Sequence, residues 1–192
     1  MSSASPHPPE RARRLIVLRH AKSAWPDGVA DLDRPLGPRG RRDAPRIGAW
    51  LRATGHVPDL VLCSPAQRTR ETLELVATGL GGRPGSAESA ESPIDVRMEP
   101  RLYSADADDL LALARAAPAD CAALMLVGHQ PAVQELVLEL IGDRPDEHPA
   151  ATLLREKFPT GAAAVLDVPG PWSELDAGGA PLVTFVRPRD LP

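Results

Sequence analysis

Aromatic residues are scarce in this 192-residue chain: Phe, Trp and Tyr together make up 3% of it. The length suits one domain with a substantial core, so that core must rest on Leu, Val, Ile and Ala. Cysteine is scarcer still. The only two, Cys63 and Cys121, lie far apart in sequence and inside apolar stretches. That excludes a disulfide framework and suits buried thiols in a reducing compartment. No apolar run approaches the ~20 residues of a membrane span, and no signal-peptide h-region opens the chain, so a cytoplasmic protein is expected. Cations are not in excess: 22 Lys and Arg face 26 Asp and Glu, a formal net charge of −4. Neither nucleic acid nor a membrane is implied as a partner. The five histidines lack the spacing of a two-histidine helical metal motif. No glycine-rich loop carries the Lys-Ser/Thr pair of a nucleotide-binding P-loop. No metal or cofactor is expected, and a monomer is the expected state.

What the chain does have is a sharp pattern at two places. Leu15-Ile16-Val17-Leu18 is an apolar, β-branched run that ends abruptly in Arg19-His20. Ala123-Leu124-Met125-Leu126-Val127 likewise runs straight into Gly128-His129. Continuous apolar runs of this length read as buried parallel strands, and their carboxyl edge is where open α/β sheets bind ligands. Two strand ends that each present a histidine, one with an adjacent arginine, suggest a site for an anion.

Around these strands the chain reads as alternating elements. Residues 1–13 have nothing to bury and read as a disordered tail; residues 14–192 form the domain. Residues 21–39 form a long, turn-rich loop of the kind that tends to carry function. A helix follows from Arg39 or Gly40 to about Ala53, with Pro45 in its first turn and Gly55 as its C-cap. After a strand at Leu60-Val61-Leu62-Cys63, Ser64 is a good N-cap and Pro65 a good first residue for a helix reaching about Gly79. Arg68 then lies about one turn into a helix whose N-terminus is a ready anion site, while Glu71 and Glu74 read as surface charges. Residues 81–93 read as a low-complexity loop and residues 94–98 as a short strand. Helices are expected over residues 106–116 and 131–141, and a final antiparallel pair of strands over residues 162–168 and 181–186. The implied class is α/β: a three-layer α/β/α sandwich with a mainly parallel sheet and an antiparallel edge.

Arg19-His20 after an early strand, Ser64-Pro65-Ala66-Gln67-Arg68-Thr69-Arg70-Glu71-Thr72 after a middle one, and Gly128-His129 after a late one resemble the histidine phosphatase superfamily. That group includes the cofactor-dependent phosphoglycerate mutases. The finer wording, Arg19-His20-Ala21-Lys22-Ser23 followed by Asp33-Arg34-Pro35-Leu36, is more similar to the small SixA-type phosphohistidine phosphatases. The resemblance extends from Leu15 to Pro188. It implies a phosphoglycerate mutase-like fold and a phosphatase that works through a phosphohistidine intermediate. It makes His20 the nucleophile, with Arg19, Arg68 and His129 holding the phosphoryl oxygens. Its substrate would be a phosphorylated protein histidine or a small phosphorylated molecule. Arg34 is either a further phosphate contact or a structural partner of Asp31 or Asp33. Ser23 and Thr160 are the remaining candidates for substrate contact, and Lys22 reads as solvated.

The departures from the family pattern bear on substrate. Ala21 replaces the usual glycine, and Pro26 stands where mutases carry an asparagine. The mutase acid is a glutamate in the segment that here reads Glu99-Pro100-Arg101-Leu102-Tyr103-Ser104. The best register puts Arg101 at that place, with Glu99 close enough to be the acid instead. A general acid contributes about 10²–10⁴-fold to the rate, which an alkoxide leaving group needs and a departing imidazole needs less. A missing acid therefore points to phosphohistidine. The alternatives are a broad small-molecule phosphomonoesterase of the same superfamily and a non-catalytic phosphohistidine-binding module. A cysteine phosphatase is excluded, because its loop needs five residues between cysteine and arginine and Cys63 to Arg68 leaves four.

Overall fold

The computed structural model describes residues 13–81, 94–143 and 148–192. In chain order its elements begin with β1 (Arg13–Arg19), α1 (Pro38–Ala53), β2 (Leu60–Cys63), α2 (Gln67–Gly79), β3 (Asp95–Met98) and α3 (Ala107–Arg115). They continue with β4 (Ala123–Gly128), α4 (Ala132–Ile141), α5 (Ala150–Glu156), β5 (Ala163–Val168) and β6 (Leu182–Val186). The six strands form one sheet in the order β3-β2-β4-β1-β5-β6. Strands β1 to β4 pair in parallel, and β5 alone runs against both of its neighbours.

Alternation along the interior strands assigns the two layers. Leu15, Val17, Leu124, Leu126 and Leu166 pack with α3, α4 and α5 on one face. Ile16, Leu18, Met125, Val127 and Val165 pack with α1 and α2 on the other. Because both faces are covered, Leu15 to Leu18 are completely buried and the strand reads as an unbroken apolar run. Each such side chain contributes roughly 1.5–3 kcal/mol through burial. Trp172 and Phe158 supply aromatic bulk to the first core. Among the described residues no helix is long and apolar enough to cross a membrane.

Several local expectations need correction. Helix α1 begins at Pro38, a favourable first residue, so Pro45 falls inside the helix instead of in its first turn. The packing of Ala44, Ile47 and Leu51 against the sheet overrides the local cost of that proline, about 3 kcal/mol. Helix α2 begins at Gln67 with Ala66 as its cap, because Pro65 and Ala66 form a bend before it; Arg68 is thus in the first turn. Glu71 is not a surface charge. It accepts from the Leu36 N–H at 3.0 Å and pairs with Arg41 at 2.7 Å. Arg13 starts β1, whereas the tail of residues 1–12 and most of the loop of residues 81–93 lie outside the described residues. Helix α5 was not foreseen.

Helices α1 and α2 touch at two glycines. A Cβ on Gly48 would lie 2.0 Å from the Val76 carbonyl oxygen, and one on Gly79 would lie 2.0 Å from the Pro45 carbonyl oxygen. Gly48→Ala should therefore destabilise the protein by about 1–3 kcal/mol in urea unfolding, although alanine is the better helix former. Unchanged or increased stability would mean that the two backbones are not in contact.

Candidate active site

The strand order puts the carboxyl ends of β2, β4 and β1 side by side, so the residues just past these strand ends meet at one edge. The His20 N–H donates to the Gly128 carbonyl at 3.1 Å, and the Ser64 N–H donates to the Val127 carbonyl at 3.1 Å. His20 and His129 face each other with ring centroids 5.3 Å apart. Arg68 reaches the same space from the first turn of α2, with its Nη2 3.3 Å from His129 Nδ1. Arg19, from the end of β1, donates from Nη1 to the Phe158 carbonyl at 2.7 Å. The four residues expected to gather do gather.

Hydrogen bonds fix the tautomer of each ring. His20 Nδ1 lies 2.8 Å from the Ala21 carbonyl oxygen, which can only accept. Nδ1 therefore carries the proton, and the Nε2 lone pair is free to attack. On His129, Arg68 can only donate, so Nδ1 accepts and Nε2–H donates to Ser64 Oγ at 2.8 Å. Burial pushes the His20 pKa down to about 3; the hydrogen bond to the Ala21 carbonyl opposes this, and the positive charges of Arg68 and Arg19 push the same way as burial. His129 is lowered to about 4 by burial and Arg68, with Asp31 opposing. Both rings are neutral at physiological pH. A neutral imidazole is a nucleophile; an imidazolium is not.

The arginines retain capacity for an anion. Arg19 Nε and Arg68 Nε are buried N–H donors with no hydrogen-bond partner among the described residues. Buried donors left unpaired are costly, so one at the end of β1 and one in the first turn of α2 mark a place where an anion would be stabilised. Among the described residues no group of three or more His, Cys, Asp or Glu side chains converges as a metal-ligand set.

The weaker candidates divide. Arg34 is the structural partner of Asp31, Nε to Oδ1 at 2.8 Å, and lies over the Trp25 ring at 3.5 Å. Ser23 holds it there by accepting from Nη1 at 3.1 Å. Thr160 is half-buried in a turn whose neighbours make the contacts: the Gly161 N–H donates to the carbonyls of Arg19 and His20, and Phe158 receives Arg19. Glu99 caps the turn at Pro100–Tyr103 and pairs with Arg101 through Nε at 2.8 Å and Nη2 at 2.9 Å. That pairing holds its carboxyl below the usual range, the reverse of what a proton donor needs.

Four contributors escaped the sequence reading. Ser64, read as a helix cap, is the partner of His129. Thr72 accepts from the Ala21 N–H at 2.9 Å and so pins the backbone just after His20 to α2. Asp31 accepts from Arg68 Nη2 at 3.0 Å and from Tyr103 Oη at 2.8 Å. Tyr103 in turn stands edge-on to His129, centroids 5.8 Å apart. For Asp31 the signal was its place in a long loop between Trp25 and Arg34; for Tyr103 there was none.

Comparison with known proteins identifies the family and the fold. Residues 15–92 match the family model described as histidine phosphatase superfamily (branch 1). An uncharacterized protein of Mycobacterium tuberculosis is 40% identical over 172 residues, covering 90% of this chain and 100% of that protein. The solved structure of the SixA protein of Nakamurella multipartitia, a proposed phosphohistidine phosphatase, is 35% identical with a TM-score of 0.75. The match covers 92% of this chain and 96% of that one. The protein histidine phosphatase SixA complexed with tungstate is 26% identical, with a TM-score of 0.69 over 92% of this chain and 98% of that one.

The depressed histidines link this site to stability. Their folded pKa values lie below the ~6.5 of an unfolded chain, so acid protonates the unfolded state first. Their contribution is complete above pH 6.5 and is lost as pH falls toward 4 and 3, on the order of 2 kcal/mol per ring at pH 5. Urea unfolding between pH 7 and 5 should show that slope, made shallower by His20→Gln. Imidazole 15N shifts should keep both rings neutral down to pH 5; titration near 6.5 would contradict the buried geometry.

Proposed function

The chain belongs to the histidine phosphatase superfamily, SixA-like in sequence and shape, and from that membership in a phosphoryl-hydrolysing family we propose that its substrate is a phosphorylated histidine. The reaction passes through a phosphoenzyme on His20. The observation that carries the substrate choice is Glu99 locked to Arg101, which leaves no available acid where phosphoglycerate mutase-like enzymes place theirs. An alkyl phosphate would then have to expel an alkoxide unaided, whereas a phosphoramidate expels a ring nitrogen.

His20 Nε2 attacks phosphorus in line with the departing group. Arg19 and Arg68 turn their buried Nε–H groups to the equatorial oxygens, stabilising charge as it spreads over them. The incoming dianion also offsets the burial and positive charge that keep His129 neutral. A second proton on that ring then lets it donate to the phosphoryl group. Arg34 and Ser23 steady the loop beside the site, and Thr160 belongs to the turn beneath it. Two buried thiols, with the Cys63 pKa pushed up to about 12 and that of Cys121 to about 11 by burial, suit a cytoplasmic enzyme.

Steady-state hydrolysis of a phosphohistidine peptide should be compared with p-nitrophenyl phosphate, a phosphoserine peptide and 3-phosphoglycerate. The expected result is a preference for phosphohistidine over the phosphoserine peptide and 3-phosphoglycerate of at least about 10²-fold in kcat/KM, with turnover abolished by His20→Ala. Faster turnover of 3-phosphoglycerate would overturn the substrate assignment. Binding without turnover would leave a phosphohistidine-binding module.

A further inference from the structure

Asp31 is out of place in an anion site. It is an aspartate on the loop above the cleft, its side chain half exposed (49%), seated directly on Arg68. The carboxylate thus stands beside the guanidinium proposed to grip phosphate, where its charge opposes a phosphoryl dianion. Four groups face it: Arg34 from its own loop, Arg68 from α2, Tyr103 from the turn at Pro100–Tyr103, and His129 after β4. Three of these favour its ionised form; Tyr103, Arg34 and Arg68 bring the carboxyl pKa down to about 2. It has no proton to give. It can only accept one.

A partner for such an acceptor exists on a phosphohistidine and not on an alkyl phosphate. The phosphorylated imidazole has a second ring nitrogen that can carry N–H. We propose that Asp31 accepts this N–H, favouring the protonated substrate ring, and that it thereby selects phosphohistidine and replaces the missing general acid. The inference rests on the phosphohistidine reading given above.

The proton count supports it. His20 Nε2 donates its lone pair to phosphorus while the substrate N–P bond breaks and returns its pair to the substrate nitrogen. His20 keeps Nδ1–H on the Ala21 carbonyl and becomes a phosphoimidazolium. The substrate ring keeps the N–H held by Asp31 and departs as neutral imidazole. Without that proton it would have to leave as an imidazolate anion. Water then attacks phosphorus, the new N–P bond returns its pair to Nε2, and dihydrogen phosphate departs. No proton passes between protein and substrate. Each imidazole needs one N–H acceptor: Ala21 serves the enzyme's ring and Asp31 the substrate's.

The test is kcat/KM against pH for Asp31→Asn and Asp31→Glu, with a phosphohistidine peptide and with p-nitrophenyl phosphate, whose phenolate leaves without a proton. In Asp31→Asn the ratio of phosphohistidine to p-nitrophenyl phosphate turnover should fall at least tenfold. The alkaline limb of the phosphohistidine profile should move to lower pH, and inhibition by inorganic phosphate should tighten as a like charge is removed. Asp31→Glu should keep the alkaline limb near its original place. Equal losses on both substrates, or an alkaline limb that does not move, would overturn the role and leave Asp31 as a strut for Arg68. A wild-type enzyme that prefers p-nitrophenyl phosphate to phosphohistidine would instead defeat the substrate assignment itself.

Discussion

Positive charge gathered where water is scarce governs this site. Arg19 and Arg68 approach two imidazoles in a space closed by three strand ends, and the protonated form of either ring would be poorly solvated there and repelled. The same crowding that keeps His20 a free base leaves the arginines with unpaired buried donors. An unprotonated ring and a pair of unsatisfied donors are therefore two results of one arrangement. Parallel pairing of β1 with β4, and of β4 with β2, is what enforces it.

The fold was legible where side chains repeat with a clear period. Leu15 to Leu18 and Leu124 to Val127 declared buried strands, and their abrupt ends declared the edge on which the site lies. The helix starts were misplaced because local rules compete. Ser64 satisfies the rule for an N-cap, but its hydroxyl is held by a histidine distant in sequence, which no local pattern reveals. Pro45 satisfies the rule for a first turn, but an earlier proline and the packing of Ile47 and Leu51 prevail.

Within the site, the residues legible in advance were those whose chemistry is unusual at a strand end: Arg19, His20, Arg68 and His129. Those that escaped act through contacts between segments. Thr72 joins α2 to the backbone after His20, and Asp31 joins the loop to Arg68 and Tyr103. A carboxylate in a loop has no period, and its meaning depends on what the fold sets opposite it. Arg34 shows the same limit, since its two possible roles differ only by the position of Asp31.

The loop that carries Asp31 is clipped at its base. Ser23 bridges to Leu36, the Gly37 N–H donates to the Lys22 carbonyl at 2.9 Å, and Glu71 pegs Leu36 to α2. Fastening both ends ties the segment's base to β1 and α2 and leaves its tip and side-chain rotamers as the freer parts. Motions of a loop tip belong to nanoseconds through microseconds. In kinetic terms, the carboxylate of Asp31 already stands beside Arg68 when an anion arrives, and no rearrangement of the loop's base is needed to put it there.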